Sequence, residues 1–175
     1  MGAKSRSKGR KFEQDVARFL RDWLGPTWTV ARNQTDRQRG QLADCAGEFT
    51  IERATPSRLG GFNRFPFAIE CKAGEAFDEG QLWREPVCGP IVKWWAQAWR
   101  QASAVGRRPM LICKRNLGEV LCAVRPRDVN VPPGPSMSIL VSGAGVVVFP
   151  IASLTRCHVD LEQFAREHPA PPSRS

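Results

Sequence analysis

The chain has 175 residues, enough for one compact domain with a hydrophobic core that needs neither disulfide nor metal staples. A formal charge of +9 and a pI of about 9.9 attract polyanions, whether nucleic acid or an anionic membrane surface. A transmembrane span is excluded, since the longest apolar stretch, Ile139 to Phe149, is interrupted at Ser142-Gly143-Ala144-Gly145.

Residues 1–10 carry Lys4, Arg6, Lys8 and Arg10 among Gly and Ser, followed by Lys11, with no acidic residue, which predicts a flexible basic arm. The first forty residues hold ten basic and four acidic side chains, so six of the nine net positive charges are concentrated there. Such an arm is either a solvated tail or a tracker of phosphates. Phe12, Val16, Phe19, Leu20, Trp23 and Leu24 recur at helical spacing over 11–24, closed by Gly25-Pro26. Asp15, Arg18, Arg21 and Asp22 interrupt that segment, so it is no secretory leader.

Trp28 to Arg32 reads as a short strand, and the polar loop from Asn33 to Leu42, with Arg37 and Arg39, as a DNA-facing segment. Glu48 to Arg53 alternates as a strand, with Phe49 and Ile51 on one face and Glu48, Thr50 and Glu52 on the other. Phe65 to Lys72 follows as its hairpin partner across a Pro/Gly-rich turn near Ser57 to Leu59. After an irregular stretch, Ile91, Trp94, Trp95, Ala98, Ala102 and Val105 mark one face of a helix between Pro90 and Gly106. Met110 to Lys114 and Val120 to Val124 are two more strands, Ile139–Val141 and Val146–Phe149 a C-terminal hairpin, and Asp160 to Glu167 a last short helix. The domain thus spans 11–168, and the proline-rich tail 169–175 is expected to be disordered.

None of the six cysteines stands at CxxC spacing, so they are read as reduced, with Cys71, Cys113 and Cys122 packing as small hydrophobes within apolar runs. His158 and His168 have no evident partner, which argues against histidine chemistry. Trp94, Trp95 and Trp99 cluster, and serve core packing, a homodimer interface or base stacking.

The informative segment is Ala68-Ile69-Glu70-Cys71-Lys72, because Glu70 and Lys72, two apart on a strand, project to one face. An exposed cross-face ion pair is the ordinary explanation of such a pair. The expected hairpin adds Asp44 nearly opposite Glu70, and two converging carboxylates are unfavourable unless a hard cation such as Mg²⁺ lies between them. Glu13, flanked by Phe12 and Val16, borders the buried face of the first helix, where it either leans over the same site or complements the helix dipole.

A helix Glu, an Asp before a hairpin, and Glu-x-Lys on the next strand followed by a helix and further strands resemble the PD-(D/E)xK nuclease core. Gly9-Arg10-Lys11-Phe12-Glu13, Val30-Ala31-Arg32, Asp44, Phe67 to Lys72 and Pro109 to Lys114 look like an archaeal-type Holliday junction resolvase over residues 8–116. The resemblance implies an α/β fold of the restriction-endonuclease type: a central mixed β-sheet flanked by helices, here with an extra C-terminal β-hairpin. It also carries functional positions over to Glu13, Arg32, Asp44, Glu70 and Lys72. Ala43 stands where that family has proline, the spacing from Asp44 to Glu70 is long, and Trp94 or Trp95 takes the register of a helix Gln, leaving Gln97 as the nearest substitute.

The function implied is resolution of four-way junctions by paired symmetric nicks, a hydrolase acting in DNA recombination and repair as a homodimer, in a prokaryotic cytoplasm or that of a virus's host. Asp44, Glu70 and the Cys71 carbonyl would hold Mg²⁺, for which Mn²⁺ substitutes, with Glu13 completing the shell through water. Lys72 would orient the attacking water or stabilise developing charge. Lys4, Arg6, Lys8, Arg10, Lys11, Arg32, Arg37 and Arg39 would bind the DNA backbone. Two alternatives stay open: a restriction or repair endonuclease of the same superfamily, and a non-catalytic basic DNA-binding module in which these charges are structural ion pairs.

Overall fold

A computed structural model describes residues 3–33, 47–53, 65–74, 77–84, 86–115, 118–130, 134–141 and 143–157, with side chains from Gly9 onward in the first helix. No proline stands before Pro26, and Ala, Lys and Arg favour a helix enough to carry it through Gly9, so α1 runs from Ala3 to Leu24. The segment expected as a flexible arm at 1–10 is therefore helical from Ala3 on and continuous with the domain. Gly25 (φ 71°) ends the helix in the left-handed conformation, its N–H donating to the Arg21 carbonyl at 3.0 Å.

Beyond α1, β1 (Trp28–Arg32) pairs antiparallel with β2 (Phe49–Arg53), Val30 facing Ile51. This corrects the expected hairpin of 48–53 with 65–72. The connection 54–64 exceeds the roughly two to five residues of a hairpin loop, and β1 offers β2 a full-length partner with matching apolar residues. β3 (Phe67–Ala73) pairs instead in parallel with β4 (Arg108–Lys114), and α2 (Pro90–Ala104) forms the crossover that a parallel pair requires. β5 (Val120–Val124), β6 (Met137–Val141) and β7 (Ala144–Pro150) complete a mixed five-stranded sheet in the order β3-β4-β5-β7-β6. The C-terminal hairpin is the β6–β7 pair. The expected helix at 160–167 and the tail lie outside the described residues.

Helices cover both faces of this sheet, as the α/β reading expects. On one, Phe12, Val16, Ala17 and Leu20 of α1, with Val30 and Ile51, pack on Phe67, Ile69, Cys71, Met110 and Ile112. On the other, Ile91, Trp95 and Ala98 of α2 pack on Leu111, Cys113, Leu121, Ala123 and Val148, and Ala102 touches Ala68. The α2 tryptophans divide accordingly: Trp95 is core, Trp94 packs on Phe77, and Trp99 lies partly exposed beneath the Arg125 guanidinium. Cys71, Cys113 and Cys122 are buried and free, and burial, with Glu79 adding to it, pushes the Cys113 thiol up to about 12. Among the described residues no helix is long and apolar enough to cross a membrane.

Where β5 ends, Asp128 is buried between two arginines. Arg125 binds both its carboxylate oxygens, and Arg108 Nε approaches Oδ1 at 3.6 Å. Removing one member of such a pair leaves buried charge behind, at a cost of about 3–5 kcal/mol. Asp128→Ala is therefore expected to lower the unfolding free energy by that amount in urea titration, and a loss under about 1 kcal/mol would show the network to be dispensable.

Candidate functional site

Strand alternation on β3 sends Phe67, Ile69 and Cys71 toward α1, and Ala68, Glu70 and Lys72 toward α2. Glu70, only 1% exposed, is consequently a buried carboxyl group on the α2 side. Lys72 Nζ lies 2.6 Å from Glu70 Oε1, and Gln97 Nε2, delivered by α2, donates to the same oxygen at 2.8 Å. Glu70 Oε2 is buried without a hydrogen-bond partner. An unsatisfied buried acceptor costs about 1–3 kcal/mol, more when charged, so it calls for a ligand. A hard divalent cation, which prefers carboxylate and carbonyl oxygens, is one partner an oxygen of this kind suits, and Lys72 is paired with the other oxygen. Among the described residues no group of three or more His, Cys, Asp or Glu side chains is disposed to hold a metal ion.

Glu13 is carried by α1. Its Oε2 accepts from Arg32 Nη1 at 2.8 Å, a partly buried ion pair between α1 and the end of β1. Glu13 and Arg32 are thus joined to each other, and Glu70 is joined to Lys72 and Gln97. Lys4, Arg6, Lys8, Arg10 and Lys11 all fall on α1. Asp44, Arg37 and Arg39 lie outside the described residues.

Two residues passed over by the sequence reading belong to this neighbourhood. Glu48, directly before β2, is only 4% exposed, and its N–H donates to the Ile69 carbonyl at 2.8 Å. Asn33, also buried, holds the segment that carries it. Its backbone N–H donates to the Glu48 carbonyl at 2.9 Å, its Nδ2 to the Gly47 carbonyl at 3.1 Å, and its Oδ1 accepts from Thr50 Oγ1 at 2.8 Å. The available signal was position: Glu48 directly precedes Phe49, which enters the α1 core. Burial foremost, then the charges of Glu48, Glu70 and Glu13, push the Cys71 thiol well above its ordinary value, which makes it an inert packing group.

The chain matches the model of a family described as phage putative PDDEXK endonuclease, over residues 4–132. No curated protein and no solved structure gives a match.

Gly47 allows the close approach of β2 to β3. It has φ 86°, and a Cβ there would lie 2.3 Å from the Ile69 carbonyl oxygen. Gly47→Ala is expected to cost about 1–3 kcal/mol and to reduce cleavage by pushing Glu48 and Ile69 apart. Thermal melting and a nicking assay check this, and a variant with wild-type melting temperature and rate would show that the close approach is not required.

Proposed function

Because the chain belongs to the phage PDDEXK endonuclease family, it is a nuclease of the PD-(D/E)xK superfamily, and we propose that it is a Mg²⁺-dependent DNA endonuclease that resolves four-way junctions by paired symmetric nicks. The observation that carries the catalytic part is the divided environment of Glu70, with one oxygen fixed by Lys72 and Gln97 and the other buried without a partner. Glu70, the Cys71 carbonyl and Asp44 are the proposed ligands, with Glu13 reaching the site through water. Nucleases of this superfamily generally use divalent metals, and the ion supplies polarisation of the scissile phosphate and acidification of a bound water.

The chain's own residues do the rest. Lys72, a compact three-donor ammonium, is held against Glu70 and can turn a remaining proton toward an attacking water or the developing phosphate charge. Gln97 keeps the Glu70 carboxylate from rotating by anchoring Oε1. The basic residues Lys4, Arg6, Lys8, Arg10 and Lys11 bind phosphates along α1, and Arg32, Arg37 and Arg39 position the backbone nearer the site.

A restriction- or repair-type endonuclease of the same superfamily would use these residues equally, and the family match accords with it as well. Support for the junction comes from the resemblance of residues 8–116 to the archaeal-type resolvases and from the concentrated N-terminal charge. A junction has two equivalent scissile phosphodiesters, so two sites related by a two-fold axis are needed. Leu140, 66% exposed on the edge strand β6, and the partly exposed Trp99 are apolar surface suited to a homodimer contact.

Glu70→Gln and Lys72→Ala are expected to abolish cleavage in Mg²⁺ while leaving DNA affinity nearly unchanged in a gel-shift titration. Wild-type cleavage by either folded variant would remove the proposed catalytic site. For the substrate, strand-specific end-labelling should reveal symmetric nicks flanking the branch point of a synthetic junction, with a linear duplex of equal length cut poorly, and light scattering should give a dimer without DNA. Equal cutting of both substrates, or a monomer at micromolar concentration, would defeat the resolvase reading and leave the nuclease intact.

A further inference from the structure

Gln97 ties one face of α2 to the Glu70 site, its Nε2 donating to Glu70 Oε1 at 2.8 Å. Residues three and four apart share a helix face, so Lys93 and Arg100, which flank Gln97 by about one turn each, lie on the same face. Both are exposed, whereas Ile91, Trp95, Ala98 and Ala102 turn the opposite face into the core. Lys72 keeps 26% of its side chain exposed although its partner Glu70 is buried, so the group around Glu70 reaches solvent beside this face.

Two exposed cations on a surface helix are ordinarily no more than a solvated face. Here, however, α2 contains no acidic residue, so neither cation has a carboxylate on its own helix to neutralise it. Glu79, in the connection leading to α2, is turned elsewhere: a Cβ on Gly118 would stand 3.0 Å from its Oε1, which places it between β4 and β5, on the far side of β4 from Glu70. The face is therefore positive along its length and continuous with the Glu70 group. Lys93 and Arg100 stand about two turns apart, roughly 10 Å along the helix. One DNA strand presents a phosphate about every 3.4 Å along the duplex axis, so a strand running along α2 can offer each cation a phosphate about three steps from the other.

We infer that the face of α2 carrying Lys93, Gln97 and Arg100 is a phosphate-binding track that leads one DNA strand past Glu70, with Lys93 and Arg100 as its contacts. The inference rests on the reading of the chain as a DNA endonuclease. It adds to the basic residues of α1 a second set on the opposite layer of the sheet. Contacts to phosphate hold the strand in register without reading bases, so their contribution is the same for every DNA sequence.

The test is fluorescence anisotropy of the full chain with a labelled four-way junction and with a labelled linear duplex, over a range of salt concentrations and in EDTA so that no cleavage intervenes. Lys93→Ala and Arg100→Ala should each make the dependence of log affinity on log salt shallower by up to about 0.9, and the double variant by up to about 1.8, with affinity near 0.15 M salt falling roughly tenfold in the double variant. Lys93→Arg and Arg100→Lys keep the charge and should retain the wild-type slope. Alanine at exposed helix positions leaves the fold intact, which circular dichroism confirms. Arg156→Ala removes an exposed positive charge after β7, where Ile151 and Leu154 pack on the α1 side of the sheet, and should leave the slope unchanged. A wild-type slope in the double variant, or an equal loss in Arg156→Ala, overturns the inference while leaving the nuclease reading in place. A wild-type chain that binds neither DNA overturns both.

Discussion

A carboxylate set into a strand that is covered on both faces is the constraint from which the rest of the site follows. β3 has the α1 core on one side and α2 on the other, so Glu70 is denied water and its charge must be met from within. Lys72 meets it from two residues along the same strand, at no cost in topology. Gln97 meets it from α2, and α2 is there because β3 and β4 run parallel and the chain must cross over between them. The crossover helix is thus both the cover of the sheet and the source of a second donor to its buried anion. Neither donor reaches Oε2, so the two oxygens of this carboxylate stand in different surroundings.

Two sets of paired charges are held by different elements. Glu13 and Arg32 tie α1 to the end of β1, while Lys72 of β3 and Gln97 of α2 both meet Glu70. The charges of Glu48, Glu70 and Glu13 all act, after burial, to raise the Cys71 thiol. The β1–β2 pair contributes by proximity more than by sheet extension: it meets β3 through Gly47, Glu48 and the Phe65–Ile51 hydrogen bond, which leaves that flank of β3 with few ladder bonds. A strand edge of this kind is normally protected from foreign strands, and here the hairpin screens it.

Elements whose apolar residues follow one clear period were legible in the sequence. Phe12, Val16 and Leu20 announced α1, Ile91, Trp95, Ala98 and Ala102 announced α2, and the Gly-containing break between Val141 and Val146 announced the C-terminal hairpin. Strand partners were not, because alternation tells which face a residue takes and is silent about which strand lies beside it. β2 was accordingly matched with β3 by adjacency, although β1 had the complementary Val30. The N-terminal arm was expected to be irregular from its charge and its Gly and Ser, yet Ala, Lys and Arg are also good helix formers, and α1 begins at Ala3. The Glu70–Lys72 pairing followed from spacing alone. Glu48 did not stand out, since a glutamate opposite Phe49 looks like any solvent-facing residue until the depth of the neighbouring strand is known.

The parallel pairing of β3 with β4 also governs when the site comes into being. Glu70 is brought to Gln97 and Leu111 by contacts that bridge the whole crossover, and parallel pairings of this kind form late because loop closure must precede the contacts that reward it. On a ribosome, a nascent chain that has reached Lys72 already contains the Glu-x-Lys pair, but its carboxylate is hydrated and its lysine untethered. Only when β4 has emerged can α2 close over β3 and exclude water from Glu70. A chain that stops short of Arg108 therefore lacks the β3–β4 pairing over which α2 crosses and places Gln97 against Glu70.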